Sequence, residues 1–164
     1  MKIAIGCDHH GYELKEAVKR YLLENGVEVE DFGCHSREET DYPDVAFNVA
    51  EEIRTGRMDR GILICGTGIG MAIAASKVPG VRAALCHDTY SAERSRKSNN
   101  AQILTMGAKV IGIEAAKKVV DAWMRSEFEG GNSERKVNKI MQREKEYLGG
   151  NRSEEADQSA GQCG

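Results

Sequence analysis

The sequence predicts an α/β fold in which five parallel strands, in the order 2-1-3-4-5, form the middle layer of a three-layer α/β/α sandwich. Two observations support this prediction. Short runs rich in β-branched residues alternate five times with longer segments whose apolar residues recur every three or four positions. One run, residues 61–64, is apolar throughout, which is typical of a strand buried on both faces of a parallel sheet. This alternation is that of a Rossmann-like, doubly wound sheet.

The boundaries of the predicted elements follow from local signals. Asn25-Gly26 is a C-cap signal that closes the first helix. Residues 27–32 alternate between polar and apolar side chains, which indicates a strand near a sheet edge. Pro43 lies near the start of the second helix, and Asp88 or Thr89 can cap the fourth. The predicted strands are residues 2–6, 27–32, 61–64, 81–86 and 102–106, and the predicted helices are residues 12–25, about 43–53, about 70–76, about 89–96, 113–128 and 133–147.

Length and composition predict one globular domain followed by a tail. The chain has 164 residues, of which 40% are hydrophobic and 30% charged, which is ordinary for a soluble protein that buries a core. Residues 1–148 are predicted to form this single domain. Residues 149–164 are rich in glycine, serine, glutamate and glutamine and are predicted to be a disordered polar tail.

Charge and cysteine content exclude several classes of protein. A formal net charge of −3 gives no support for binding to nucleic acid or to an anionic membrane surface. No apolar run approaches 18 residues and the N-terminal run is too short for a signal peptide, so a cytoplasmic location is expected. The five cysteines are widely spaced and odd in number, which favours free thiols over a disulfide framework or a zinc site. Cys7 and Cys86 are predicted to be structural.

The most informative stretch is the strand that ends at Cys65 and continues into a glycine loop and an alanine-rich helix. Such a unit leaves unpaired backbone N–H groups at the helix start, where they can bind an anion. The carboxyl ends of parallel strands meet at one edge of the sheet, and ligands bind there between the first and third strands. Asp8, His9 and His10 follow the first strand, Cys65 ends the third, and His87 follows the fourth. The sequence therefore predicts a site at this edge that contains a thiol, a carboxylate and histidines.

Each of these residues also has a simpler interpretation. A cysteine that ends a buried strand is often a small core residue. Asp8 can cap the first helix, and His9 and His10 can be solvated loop residues, as is expected of His35. The histidines could bind a metal, but no His-x-x-x-His or Cys-x-x-Cys spacing supports this, and no metal is predicted.

The glycine spacing argues against two common nucleotide-binding loops. Gly66, Gly68 and Gly70 stand at alternate positions, which is not the Gly-x-Gly-x-x-Gly pattern of a dinucleotide site, and they follow the third strand instead of the first. A P-loop would need Lys-Ser or Lys-Thr after its glycines, and neither is present. No cofactor is predicted.

Five strings, in this order and spacing, resemble type B ribose-5-phosphate isomerases, a family that includes the galactose-6-phosphate isomerase subunits. They are Gly6-Cys7-Asp8-His9, Asp41-Tyr42-Pro43, Ile64-Cys65-Gly66-Thr67-Gly68-Ile69-Gly70, Val78-Pro79-Gly80-Val81-Arg82-Ala83 and Asp121-Ala122-Trp123. The resemblance covers roughly residues 1–147. It implies a metal-free aldose–ketose isomerase that acts on a small sugar phosphate. It also implies a homodimer, sometimes paired into a tetramer, with active sites at the subunit interface and a C-terminal helix that extends to the partner.

The resemblance also implies roles for individual residues. The reaction moves a proton between C1 and C2 through a cis-enediolate, so it needs a base and a cradle for an oxyanion. Cys65 is the implied base, and the helix start behind it favours its thiolate. The enediolate would be held by the Thr67 hydroxyl and by the N–H groups of the loop, which are those of Gly66, Gly68, Ile69 and Gly70. The implied sugar contacts are Asp8, His10, Tyr42, Ser98 and Asn99, and His9 would bind the phosphate.

The sequence departs from the ribose enzymes of this family at two places. A ring-opening histidine usually precedes the asparagine, but this chain has Ser98-Asn99. The family's phosphate-binding arginines correspond here to Lys109, Asn132 and Lys136, with Arg135 as a substitute contact. A lysine still neutralises phosphate, as a point charge without the bidentate fork of arginine.

These departures leave the substrate open. Residues 87–94 and 98–102 resemble the branch of the family that isomerises tetrulose phosphates. A tetrose 4-phosphate has its O4 blocked and cannot close a furanose ring, so it needs no ring-opening acid. The family-default substrate is ribose 5-phosphate. Either the substrate has shifted to a tetrose 4-phosphate, or the proton-donor role has been transferred to His87 or His10. A non-catalytic sugar-phosphate-binding subunit is a further alternative.

Overall fold

A computed structural model describes residues 1–149. Residues 1–128 form one compact unit and the chain from residue 129 onward a second, which is described up to residue 149. The predicted tail lies outside the described residues, apart from Gly149. None of the helices in residues 1–149 has the length and apolar character needed to cross a membrane.

The first unit contains five parallel strands and five helices in alternation. The strands are β1 (Lys2–Cys7), β2 (Glu28–Asp31), β3 (Arg60–Cys65), β4 (Ala83–Leu85) and β5 (Ile103–Gly107). The helices are α1 (Tyr12–Glu24), α2 (Tyr42–Arg54), α3 (Ile69–Ser76), α4 (Thr89–Lys97) and α5 (Ile113–Arg125). In the second unit, the residues up to 149 contain the helix α6 (Asn132–Gly149). The predicted α/β class is confirmed.

The predicted strand order is wrong at one end of the sheet. The observed order is β2-β1-β3-β5-β4, so that β5 lies inside the sheet and β4 at its edge. All five residues of β5 are buried, whereas β4 has only three residues and each of them is partly or fully exposed. The longer, fully buried strand therefore takes the position that is covered on both faces, and the short one is left at the edge.

The helices confirm this order through the handedness of their connections. The core beneath α1, α4 and α5 includes Val18, Ala92 and Trp123, and the core beneath α2 and α3 includes Val49 and Met71. Let the sheet be written from left to right as β2-β1-β3-β5-β4. A right-handed crossover then places the connecting helix on one face when the next strand lies to the left and on the other face when it lies to the right. The chain moves left from β4 to β5, so α4 lies on the same face as α1.

Candidate active site

A cleft of about 580 Å³ opens at the carboxyl edge of the sheet, where β1 and β3 lie side by side. Ligands of open parallel sheets bind at such a point. Ten of the residues predicted for the site line this cleft: Asp8, His9, His10, Tyr42, Cys65, Gly66, Thr67, Ile69, Gly70 and Lys109. The structure therefore brings the predicted thiol, carboxylate, two histidines and one lysine together within a single chain.

Cys65 is the last residue of β3, and its sulfur faces the start of α3. The thiol is 4% exposed, and its Sγ accepts a hydrogen bond from the backbone N–H of Gly68 at 3.1 Å. Thr67 makes the next contact in this loop, because its Oγ1 accepts the N–H of Ile69 at 3.3 Å. A backbone N–H that donates to sulfur stabilises the negative charge of a thiolate.

Gly68 makes this geometry possible. Its φ of +78° lies in the left-handed region, and a Cβ there would stand 2.6 Å from Leu85 Cδ1 and 2.7 Å from the carbonyl carbon of Met106. The loop therefore rests directly on β4 and β5. Any other residue at this position would push the loop away from the sheet.

Asp8 serves the fold and the cleft together. Its backbone N–H donates to the carbonyl of Ile64, and its Oδ1 accepts the N–H of Gly11 at 3.1 Å, which caps the short 3-10 turn His9–Gly11. The side chain is only 4% exposed and yet lines the cleft. The capping interpretation and the functional one are therefore compatible.

His9 is held by a backbone contact that sequence reasoning missed. The N–H of Thr40 donates to His9 Nδ1 at 3.1 Å, and the His10 ring lies 4.1 Å from the His9 ring. Because Nδ1 acts as an acceptor, a neutral His9 carries its proton on Nε2, which remains a donor. No property of the Thr40 side chain signals this role, since the contact uses only the main chain.

Tyr42 and Ile73 form the apolar side of the cleft. A Cβ on Gly70 would stand 2.5 Å from the Tyr42 ring, so glycine at this position lets the ring lie against the first turn of α3. Ile73 is 58% exposed and stands four residues after Ile69, which also lines the cleft. Ile73 was not among the site residues predicted from the sequence. Two apolar residues four positions apart, such as Ile69 and Ile73, lie on the same face of a helix, and this spacing could have indicated it.

Lys109 follows β5 and lies next to the glycine loop. Its backbone N–H donates to the carbonyl of Gly66 at 3.0 Å, and the N–H of Ala108 donates to that of Cys65 at 2.8 Å. The side chain of Lys109 is exposed and lines the cleft. The cleft therefore contains a cation next to the glycine loop.

The structure does not place His87 among the residues that line this cleft. It follows the edge strand β4, and its Nε2 accepts the backbone N–H of Gly107 at 2.9 Å. The predicted order would have put it beside β3. Burial lowers the pKa of His87, although the neighbouring Asp88 acts in the opposite direction.

Ser98 and Asn99 lie at the opposite, amino edge of the sheet. They follow α4 and precede β5, and the carbonyl of Asn99 accepts a hydrogen bond from Arg82, which precedes β4. The Ser98 hydroxyl accepts one from Arg94. Asn132, Arg135 and Lys136 lie on α6 in the second unit. Neither Ser98 nor Asn99 is among the residues that line the cleft.

The other thiols of the first unit are unlike Cys65 in their surroundings. Burial raises the pKa of Cys86 to about 11 and raises that of Cys7 further. Cys7 lies 3.7 Å from Cys34, sulfur to sulfur, and both thiols are free. Within residues 1–149, no group of three or more His, Cys, Asp or Glu side chains is arranged to hold a metal ion.

The chain is similar to known proteins over most of its length. A family model described as Ribose/Galactose Isomerase matches residues 3–140. Ribose-5-P isomerase B of Listeria innocua is 56% identical over 137 residues, which are 84% of this chain and 93% of that protein. The D-erythrulose-4-phosphate isomerase of Pectobacterium atrosepticum is 53% identical over 141 residues, which are 85% of this chain and 93% of that one. The solved structure of Clostridium thermocellum ribose-5-phosphate isomerase B has a TM-score of 0.88 and 50% identity, with 90% of this chain and 99% of that one covered.

Proposed function

Since the chain belongs to the ribose/galactose isomerase family and is thereby an aldose–ketose isomerase of phosphorylated sugars, we propose that Cys65 is the base that moves the proton between C1 and C2. The observation that carries the proposal is the contact between Cys65 Sγ and the N–H of Gly68 at the wall of the cleft. This contact holds the sulfur of Cys65 next to the space that a substrate would occupy.

The same loop supports the second requirement of the reaction. Removing a proton next to a carbonyl leaves an enediolate whose oxygen carries negative charge, and fixed N–H donors stabilise it. Gly66 and Thr67, and Ile69 and Gly70 at the start of α3, line the cleft together with Cys65. Asp8, which follows the neighbouring strand β1 and also lines the cleft, would bind a sugar hydroxyl.

The phosphate is assigned to His9 and Lys109, which both line the cleft. His9 presents Nε2 as a donor because its Nδ1 is occupied by Thr40. Lys109 supplies a positive charge on a flexible stem, which suits a phosphate without requiring bidentate geometry. Binding the phosphate at one end of the cleft would orient C1 and C2 toward Cys65.

Ribose 5-phosphate, converted to ribulose 5-phosphate, is the first candidate substrate, and a tetrose 4-phosphate is the second. The observation that favours the second is Ser98, which cannot act as a ring-opening acid. His87 does not line the cleft, so it is poorly placed to take over that role, whereas His10 does line it. A four-carbon substrate would need neither, because it cannot form the furanose ring.

A homodimer with shared sites would reconcile the two groups of predicted residues. Cys65, Asp8 and Lys109 lie at the carboxyl edge of the sheet, and Ser98 and Asn99 at the amino edge. One chain cannot present both edges to the same sugar. We therefore propose that a second copy supplies Ser98 and Asn99, together with residues of its α6.

A cytoplasmic location is proposed because the four cysteines in residues 1–149 are free thiols.

The test is to measure kcat/KM for ribose 5-phosphate and erythrose 4-phosphate with the same preparation. A preference for the tetrose phosphate supports the second candidate. A strong preference for ribose 5-phosphate that survives His10→Ala and His87→Ala would exclude the four-carbon substrate and both replacement donors. A folded dimer with no turnover on any four-, five- or six-carbon sugar phosphate would instead favour the non-catalytic subunit.

A further inference from the structure

We propose that His87 is a positioning residue, whose imidazole anchors the carboxyl end of β5 and thereby holds the loop of residues 65–70 against the sheet. The proposal rests on the proposed function in one respect, namely that this loop stabilises the enediolate. It assigns His87 a role that differs from the proton donor considered above.

The anchor is needed because the edge strand β4 ends too early. The N–H of Ile103, at the start of β5, donates to the carbonyl of Arg82, and the N–H of Cys86 donates to the carbonyl of Thr105 at 3.1 Å. The strand β4 ends at Leu85, which pairs with Thr105. Gly107, two residues after Thr105, therefore has no β4 carbonyl to which its N–H could donate. His87 Nε2 accepts the Gly107 N–H at 2.9 Å and so replaces the missing strand. Because Gly107 is buried, its N–H would otherwise have no access to water.

Gly107 transmits this anchor to the loop. It pairs in register with Cys65, and a Cβ on Gly107 would stand 2.5 Å from the carbonyl carbon of Thr67. The backbone of Thr67 therefore lies directly on Gly107. The two residues that follow Gly107 donate their N–H groups to the carbonyls of Cys65 and Gly66. The carboxyl end of β5 is thus the surface on which the loop is built.

The geometry of the imidazole separates this role from acid–base catalysis. Nε2 is engaged as an acceptor, so a neutral His87 carries its proton on Nδ1. An anchor needs only an acceptor atom at the position of Nε2, and the side-chain oxygen of glutamine can reach about the same place. A proton donor needs a group that titrates, which glutamine does not.

The experiment compares His87→Gln and His87→Leu, with His35→Leu as the control at an exposed histidine outside the cleft. His87→Leu should lower kcat about tenfold, the cost expected for losing one buried hydrogen bond. The loss should be similar for ribose 5-phosphate and erythrose 4-phosphate. His87→Gln should restore kcat to within about threefold of the wild type. His35→Leu should leave kcat unchanged for both sugar phosphates. Wild-type kcat in His87→Leu, or a His87→Gln enzyme that is inactive only on the cyclising sugar, would overturn the proposal.

A second measurement uses the unmodified protein and needs no activity. In a spectrum of the ¹⁵N-labelled histidines at pH 7.5, His87 should show the Nδ1–H tautomer with an unprotonated Nε2, assigned by its loss in His87→Gln. An Nε2–H tautomer would contradict the anchor even if His87→Leu failed to fold. Correct tautomer with no isomerase activity would instead contradict the proposed function and leave the anchor supported.

Discussion

Replacing Gly68 with alanine should destabilise the protein more than the same replacement at Gly80, although both glycines have similar backbone conformations. Gly68 has φ = +78° and Gly80 has φ = +84°. A left-handed conformation costs an L-residue about 1–2 kcal/mol, and both variants should bear this cost. A Cβ on Gly80 would meet nothing within 4 Å, so the left-handed conformation should be the only cost of Gly80→Ala.

At Gly68 a second cost is added by close contacts. A Cβ there would stand 2.6 Å from Leu85 Cδ1 and 2.9 Å from the Cα of Met106. The leucine side chain can rotate away, but the backbone of β5 cannot move without disturbing the sheet. Overpacking of this kind costs about 1–3 kcal/mol, so Gly68→Ala should lose about 2–5 kcal/mol of unfolding free energy in total.

Gly68→Ala should also impair catalysis. Alanine keeps the backbone N–H, but the close contacts of its Cβ with Leu85 and Met106 would displace this N–H from Cys65 Sγ, to which it donates. Losing a hydrogen bond to a charged acceptor costs about 1.5–3 kcal/mol, which corresponds to roughly 10- to 150-fold in kcat. Gly80→Ala should retain wild-type kcat. The assays are urea denaturation of all three proteins at one protein concentration, and initial rates at a temperature where all are folded. Equal losses of stability in the two variants, or wild-type kcat in Gly68→Ala, would refute the reasoning.

Three further predictions concern charged or titratable groups. Burial lowers the pKa of His87, so the unfolded chain binds more protons than the folded one as the pH falls. The contribution of His87 to the free energy of unfolding should therefore be complete above the usual histidine pKa of about 6.5. It should be lost as the pH falls below that value. Urea midpoints between pH 8 and pH 5 should fall less in His87→Gln than in the wild type; equal falls would contradict this. Lys109→Ala should raise KM about tenfold with a smaller change in kcat, and Lys109→Arg should recover most of the affinity. An unchanged KM in Lys109→Ala would remove the lysine from the phosphate site. Lys15 is fully buried and donates to Asp31 and to the carbonyl of Cys34, so Lys15→Met should cost about 3 kcal/mol of unfolding free energy, and a loss below 1 kcal/mol would show that this ion pair contributes little.

Local signals in the sequence were sufficient to predict the elements and the edge of the sheet at which the cleft lies. Pro43 does lie in the first turn of α2, and the side chain of Asp88 caps α4 through the N–H of Ser91. Such signals act within a few residues and need no knowledge of the rest of the fold. The placement of Cys65 beside Asp8 follows from the adjacency of β1 and β3, which the sequence also predicts.

What could not be predicted depends on contacts between distant segments. The exchange of β4 and β5 depends on which of two short apolar strands is covered on both faces, and it moved His87 away from the cleft. Thr40 holds His9 through a main-chain N–H, so no residue type could signal the contact. Ser98 and Asn99 lie far from Cys65 in one chain, and their predicted roles depend on a partner subunit.

The most direct test of the account is the exchange of the substrate C2 proton with solvent in Cys65→Ala. The sugar phosphate is incubated in D₂O with wild type, Cys65→Ala and Cys86→Ala, the last being a buried thiol at the end of β4 whose pKa is raised to about 11. Exchange should be abolished in Cys65→Ala while affinity for the sugar phosphate is retained, and it should persist in Cys86→Ala. Undiminished exchange in Cys65→Ala would show that Cys65 is not the base.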